Sequence, residues 1–290
     1  MNKKVVTFFA AYLFFLSSNL FAHETKFELP RSVSNFGSAI GVTGSGDSIL
    51  AWNGPVGANV YKKEGSEWKL QNYALQPDTT STSWRRRLQS MDVNGNYAAF
   101  TSTPDNKVFV YKWDGIEWDA TNIATSPTEV KRVAVASNGE IAMQSEVNDR
   151  IYVFSSSREK IIRSYGGGPL SDPKTLNGPL EIDGNIMVVS SSQDSEYDKS
   201  TIFENWAPVA TISEARAIGI NAASKAIVIV TSDGKAIELY RYDSNLEENG
   251  GWYKVDSIDA TELNATEFGY SIDFNSSNIY VAGTANLDGI

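Results

Sequence analysis

The chain contains no cysteine and a single histidine, His23, in 290 residues. The first absence excludes a disulfide framework, thiol catalysis, cysteine-ligated zinc and a lipid-modified N-terminal cysteine. The second leaves no imidazole base for a serine triad within the body of the chain. Basic residues are also scarce, 25 against 35 acidic ones, for a formal charge of −10. An acidic surface repels phosphate backbones, so nucleic acid is not an expected partner. Long apolar runs are lacking too, apart from "VVTFFAAYLFFL" at 5–16. That run is too short to span a bilayer. It follows Lys3 and Lys4 and leads to "SSNLFA", ending at Ala22. A basic start, a short apolar stretch and a small residue at the exit describe a secretory signal peptide. An uncleaved membrane anchor is the other reading. Cleavage after Ala22 removes two lysines and no acid, leaving 23 basic against 35 acidic residues and a charge of −12. The expected organisation is a signal peptide over 1–22 and one domain over 23–290, placed in the periplasm, outside the cell or on its surface. His23 would then be the first residue, where its amine and imidazole could chelate copper. With no second histidine a copper brace is excluded, and an incidental terminus is the preferred reading.

What the chain does contain is short apolar runs punctuated by turns. In "FGSAIGVTGSGDSILAWNGPVGANVYKKEGSEWKL", 36–70, such runs alternate with Gly, Asp and Asn and close on Trp68. The pattern recurs. Strand ends fall at Val42, Val93, Val135, Ile182, Ile220 and Phe274, at intervals averaging about 46 residues, a period typical of propellers and solenoids. The copies start near 36, 87, 129, 176, 214 and 268. Each of the first five holds four strand candidates rich in Val, Ile, Tyr, Phe and Thr, and no helical periodicity survives beyond the leader. Four antiparallel strands per unit, repeated in a circle, give an all-β propeller. Trp68, Trp118, Trp206 and Trp252 recur at the start of the fourth strand. They read as structural, packing blade on blade, and their other reading is a ring of ligand-stacking aromatics. The sixth copy reaches Ile290 before its third strand, while "TKFELPRS", 25–32, reads as the outer strand that closes the last blade. The expectation is six blades with the last incomplete, or seven if the chain is a fragment.

Phe36-Gly37 followed by "AIGV", "SILAW", "GANVY" and "GSEW" resembles the FG-GAP repeat of integrin-α-like β-propellers, and so does Phe268-Gly269 with "SIDF", "NIYVAGTA" and "LDGI". The likeness runs from about 27 to 290. Only the first and sixth copies keep Phe-Gly, and the Gly-Ala-Pro element is reduced to "WNGP" and "AGTA". The resemblance implies an extracytoplasmic binding or adhesion propeller. Many members carry calcium in a long Asp-rich turn between the first two strands. The corresponding turns here, such as "TGSGD", "NGN" and "DGN", are too short and too poor in carboxylates to wrap an ion that takes six to eight oxygens. No calcium, other metal or cofactor is expected.

Two classes of function remain. The first is a non-enzymatic module that binds a protein or glycan. In a propeller the loops from strand four to the next strand one share a face with those from strand two to strand three. The long stretches "QPDTTSTSWRRR", "GGGPLSDPKTLN" and "QDSEYDKS" all fall there, and long loops on a rigid scaffold carry function. The candidate ligand face is Trp84, Arg85, Arg86, Asp194, Glu196, Tyr197 and Asp198. For "RRR" a solvated strand entry is the preferred reading, since successive strand side chains point to opposite faces. For "QDSEYDKS" it is a solvated loop without a cation. The second class is a hydrolase with two carboxylates near the axis, one with a raised pKa. Glu140 and Glu181 lie near inner strands, but alternation does not bring them together. "KWDGIEW" has the look of a sialidase Asp-box, yet Asp114 directly abuts Gly115. Fold class does not choose between the two.

Overall fold

The computed structural model describes residues 10–13, 23–26, 36–53, 57–65, 67–75, 88–102, 106–125, 130–145, 150–157, 161–165, 178–190, 199–246, 248–263, 265–274 and 279–285. Strands β1 (Ala10–Leu13) and β2 (His23–Lys26) form a two-stranded sheet. Five four-stranded antiparallel sheets follow in chain order. Blade 1 is β3 (Phe36–Val42), β4 (Ser48–Asn53), β5 (Ala58–Glu64) and β6 (Glu67–Leu75). Blade 2 is β7 (Leu88–Asn94), β8 (Tyr97–Ser102), β9 (Lys107–Trp113) and β10 (Trp118–Thr125). Blade 3 is β11 (Val130–Val135), β12 (Ile141–Ser145), β13 (Ile151–Phe154) and β14 (Ile161–Tyr165). Blade 4 is β15 (Leu180–Asp183), β16 (Ile186–Ser190), β17 (Lys199–Glu204) and β18 (Ala207–Ser213). Blade 5 is β19 (Ala215–Asn221), β20 (Ala226–Thr231), β21 (Ala236–Tyr242) and β22 (Trp252–Asp259). The last pair, β23 (Ala265–Phe274) and β24 (Ile279–Ala285), is two-stranded.

The first strands form the ring. β7 packs between β3 and β11, β15 between β11 and β19, and β23 between β19 and β3, so the circle closes through the two-stranded sheet. The chain is therefore a β-propeller with five four-stranded blades among the described residues, not the six or seven expected. The sixth position holds two described strands, and 286–290 lie outside the described residues. Of the expected outer strand 25–32, residues 25 and 26 lie in β2, outermost beside the last pair, and 27–32 lie outside the described residues. The strand between β2 and β24 is Ala10–Leu13, which pairs with His23–Lys26 and lies alongside β24. Two short 3-10 turns, Glu248–Gly251 and Ala260–Leu263, were not expected from the periodicity.

Burial explains why the strand sequences differ with rank. Second strands are covered on both faces by neighbouring blades, so "IAMQS" and "IMVVS" are buried throughout. Such strands are continuous β-branched and apolar runs, without alternation. The fourth strand of blade 5, "WYKVDSID", is anchored by its buried Trp252 and exposed almost everywhere else. Charged, exposed residues on that edge discourage pairing with another chain. The cores lie between blades. One cluster joins Leu50 and Val60 of blade 1 to Met91, Phe100 and Tyr111 of blade 2, and another joins Val188 and Ile202 of blade 4 to Ile218 and Tyr240 of blade 5.

The two Phe-Gly copies share a local geometry. Phe36 pairs with Asn53 and Ile40 with Ala51, and Phe268 pairs with Gly283 and Ile272 with Val281. Four residues on the first strand thus oppose two on the second, a double bulge. Blades 3 and 5 insert one extra residue at the corresponding place. A glycine after the aromatic suits a bulge, where backbone angles depart from the pleat.

Candidate functional site

The residue before each strand-one end sits at the same repeat position in every unit. In order these are Gly41, Asp92, Ala134, Glu181, Gly219 and Asp273. Carboxylates occupy the second, fourth and sixth units, and small residues the others. This position faces the next blade. Asp92 Oδ2 accepts the Val135 N–H at 2.6 Å, and Asp273 Oδ2 accepts the Val42 N–H at 2.5 Å. Where Gly41 stands, an added Cβ would lie 2.2 Å from Val93 Cβ. Inner strands of blades 1 and 2 are that close, so only glycine fits.

The three carboxylates converge. Glu181 lies within electrostatic reach of Asp92, Asp273 and Asp183, and its carboxyl is within hydrogen-bonding reach of Asp92. Burial first, then the Asp92, Asp273 and Asp183 charges, hold the Glu181 pKa well above its ordinary value. Burial pushes Asp92 up to about 6, against the backbone N–H groups of Val135 and Val93 that favour its charged form. Asp92 keeps some solvent-accessible surface although protein surrounds it on every side. Desolvation and repulsion both act against charging the pair. Asp183, the last residue of β15, spans three blades. Its Oδ1 accepts from Ser137 N at 3.1 Å and from Ser137 Oγ, and its Oδ2 accepts from Ala222 N at 2.7 Å. Asn94 Nδ2 donates to Ile182 O at 3.3 Å, and Gly44 N to Gly95 O at 2.7 Å. These bonds tie the short strand-one turns together around the axis.

Of the two carboxylates named from sequence, Glu181 belongs to this cluster. Glu140 does not. It follows the turn at Ala136–Gly139, where its backbone N–H donates to Asn138 Oδ1 at 3.0 Å. Asp92 and Asp273 were missed. The missing step was to align strand ends and read the residue before each. Asp114 is a turn residue: its Oδ1 accepts the N–H groups of Ile116 at 2.7 Å and Glu117 at 2.8 Å, bonds that lower its pKa.

The four tryptophans sit at or near the fourth-strand starts. Trp118 is buried, and its Nε1 donates to Ser48 Oγ of blade 1 at 3.3 Å. Trp252 is buried, and its Nε1 donates to Glu204 Oε1 of blade 4 at 2.9 Å. Trp206 packs against the cluster shared by blades 3 and 4, and Trp68 against Val42, Ile49 and Tyr61 within blade 1. Phe268 is fully buried against blade 5, where its N–H donates to Gly234 O at 2.8 Å. Phe36, Gly37 and Gly269 occupy strands β3 and β23.

On the long-loop face a groove of about 650 Å³ opens between blades 4 and 5. The end of β18 with Glu214, and the β20–β21 turn with its flanking Thr231 and Ala236, wall it together with Lys199 and Tyr240. The Tyr240 hydroxyl lies 2.6 Å from Glu238 Oε2 and 3.0 Å from Ser213 Oγ. Lys254 Nζ reaches Glu238 Oε1 at 3.0 Å. Burial acts to raise the Glu238 pKa, but the bonds from Tyr240, Ser213 and Lys254 outweigh it and hold it below its ordinary value. Burial and the Glu238 carboxylate raise the Tyr240 pKa. A second groove, of about 600 Å³, lies on the opposite face beside Tyr97, Lys112 and Trp113. The expected ligand residues Trp84, Arg85, Arg86, Asp194, Glu196, Tyr197 and Asp198 lie outside the described residues. Lys199 directly follows the acidic loop and lines the blade 4–5 groove.

No sequence-family profile matches the chain, and no curated protein matches it. Solved structures do. The complex of KlAtg21 with the coiled-coil of AgAtg16 matches with a TM-score of 0.53 at 13% identity, covering 82% of this chain and 74% of that one. The RRP9 WD40 repeats match at 0.53 and 8% identity, covering 87% and 96%. Kluyveromyces lactis Hsv2 matches at 0.50 and 12% identity, covering 86% and 83%. At such identities the likeness is one of fold alone, and that fold is the β-propeller.

Proposed function

We propose that this chain is an exported, non-enzymatic β-propeller of the integrin-α-like kind. Its leader is removed after Ala22, and its long-loop face takes a protein or glycan partner. The observation that carries the reading is the groove between blades 4 and 5. It opens on the face of the four-to-one and two-to-three connections, and Ile212 and Tyr240 are buried beside it. A concave surface beside the Tyr240–Glu238–Lys254 network suits recognition. A fold match to a propeller solved with a coiled-coil segment agrees with a protein partner.

The hydrolase reading draws on the Asp92–Glu181 pair. Glycosidases hold their two carboxyls about 5–9 Å apart, to leave room for sugar and water. Here Glu181 acts on Asp92 as a direct side-chain partner, a closer approach than that spacing.

The test expresses the chain with its leader and follows the exported product. Its N-terminus should read His23. Retention on a glycan array or cross-linking to a surface protein should fall at least tenfold in Lys199→Glu and Thr211→Arg, and stay unchanged in Asn96→Arg on the opposite face. Equal loss in all three would remove the face assignment. Turnover of a chromogenic glycoside that disappears in Glu181→Gln would replace binding with hydrolysis.

A further inference from the structure

Blades 2 and 3 place different residues at one pair of repeat positions. In blade 2 they are Ser90, on strand one, and Thr101, on strand two. In blade 3 they are Arg132 and Gln144, which are direct cross-strand partners. The blade 2 pair is satisfied within the protein. Ser90 Oγ accepts the Val133 N–H of blade 3 at 3.3 Å, and Thr101 Oγ1 accepts the Ser90 N–H at 3.0 Å. Ser190, at the strand-two position in blade 4, likewise accepts the Ala215 N–H of blade 5 at 3.1 Å. The blade 3 pair is not satisfied among the described residues. Gln144 is fully buried, and neither its Nε2 nor its Oε1 has a hydrogen-bond partner there. Arg132 Nε is buried and has no partner among them either. Burial alone lowers the Arg132 pKa, with no described carboxylate acting to raise it. A guanidinium has only donors, so Arg132 cannot take a backbone N–H from the next blade as Ser90 does.

Both side chains share the sheet face that carries Ala134 and Ala142, which packs on Leu180, Ile182 and Val189 of blade 4. The surroundings are apolar, where an unpaired charge is costly and a paired one is strong. Arg132 lies two residues inside the start of β11, and Gln144 one residue before the end of β12. Both strand ends lead into connections on the long-loop face, and Arg132 keeps partial exposure.

We propose that this inner end of the blade 3–blade 4 interface is a carboxylate site, with the Arg132 fork and the Gln144 amide as its donors. The Arg132 fork matches the two oxygens of a carboxylate, and the Gln144 NH₂ supplies a neutral donor beside it. The negative charge of the whole chain favours a singly charged ligand over a polyanion. The carboxylate is either a free organic acid or the end of a polypeptide. This site is separate from the blade 4–5 groove and does not depend on the function proposed there.

The test is calorimetric titration at constant ionic strength with sodium acetate, sodium chloride, and triglycine with a free or an amidated C-terminus. Saturable binding of acetate above chloride identifies a free acid as sufficient. Binding of free-ended triglycine but not acetate identifies a polypeptide terminus. In either case Arg132→Met and Gln144→Leu should each lose at least tenfold in affinity, and Arg132→Lys should lose less than Arg132→Met. Unliganded Arg132→Met should melt no lower than the parent protein, because it removes an unpaired buried charge. If that variant fails to fold, Gln144→Leu carries the test. Equal binding of amidated and free triglycine, no binding of any carboxylate above chloride, or variants that bind like the parent would overturn the proposal.

Discussion

Blades 1 and 2 solve one packing problem in opposite ways. At the position before the strand-one end, blade 1 carries Gly41, and its inner strand closes on Val93 of blade 2 until no Cβ fits between them. Blade 2 carries Asp92, and its carboxylate reaches over to hold the Val135 N–H of blade 3. The sixth unit does the same to blade 1 through Asp273 and Val42. Contact joins one interface and a charge-assisted hydrogen bond joins the next. The lesson is that a ring of similar blades does not need identical joints, but alternating carboxylates then meet at the axis. Burial and mutual repulsion there push the pKa values of Glu181 and Asp92 upward.

The comparison can be broken most severely at the contact joint. Gly41→Val should cost about 3 kcal/mol, the upper range for overpacking, because the clash is with a neighbouring inner strand. Denaturant midpoints would measure it, and an unchanged midpoint would show that the joint is not close-packed. The carboxylate joint should respond to pH. The folded Asp92 pKa, about 6, exceeds its unfolded value, near 3.8. The native state therefore binds the proton more tightly. The contribution is complete below the unfolded value and is lost as pH rises through about 6. Asp92→Asn, which keeps an acceptor for the Val135 N–H, should gain on the parent by about 2 kcal/mol between pH 4 and 7.5. Parallel stability curves would mean that burial does not raise the Asp92 pKa. The smallest effects belong to the indole bonds. Trp252→Phe loses a bond to a carboxylate and should cost about 2 kcal/mol, and Trp118→Phe loses a bond to a serine hydroxyl and should cost about 1 kcal/mol. A reversed order, read from the same denaturation curves, would show that ring packing outweighs the acceptor's charge.

Much of the fold was legible because its signals are local. Turn residues and β-branched runs mark each strand end, and the expected ends at Val42, Val135 and Phe274 are the observed ones, with Val93, Ile182 and Ile220 one residue short. The axial acids were not legible in any window, since Asp92, Glu181 and Asp273 stand about two repeats apart. Glu181 alone looks like any acid on a strand, and only the ring gives it two partners. Arg132 and Gln144 look ordinary for the same reason. Their oddity is that blade 4 presents them with an apolar wall and, among the described residues, no acceptor.

The sequence by itself determined the all-β repeat, its period and its antiparallel four-strand unit, because hydrophobic alternation and turn chemistry act over a few residues. It also set the chemistry the chain lacks, since a missing thiol or imidazole is missing in any fold. Only the tertiary structure decided that five sheets are four-stranded, that β23 closes on β3, and that alternate blades send carboxylates to one axis. These are properties of closure. Which side chains meet across a ring depends on how many blades fill it and how closely their inner strands approach, and no local stretch of sequence carries that information.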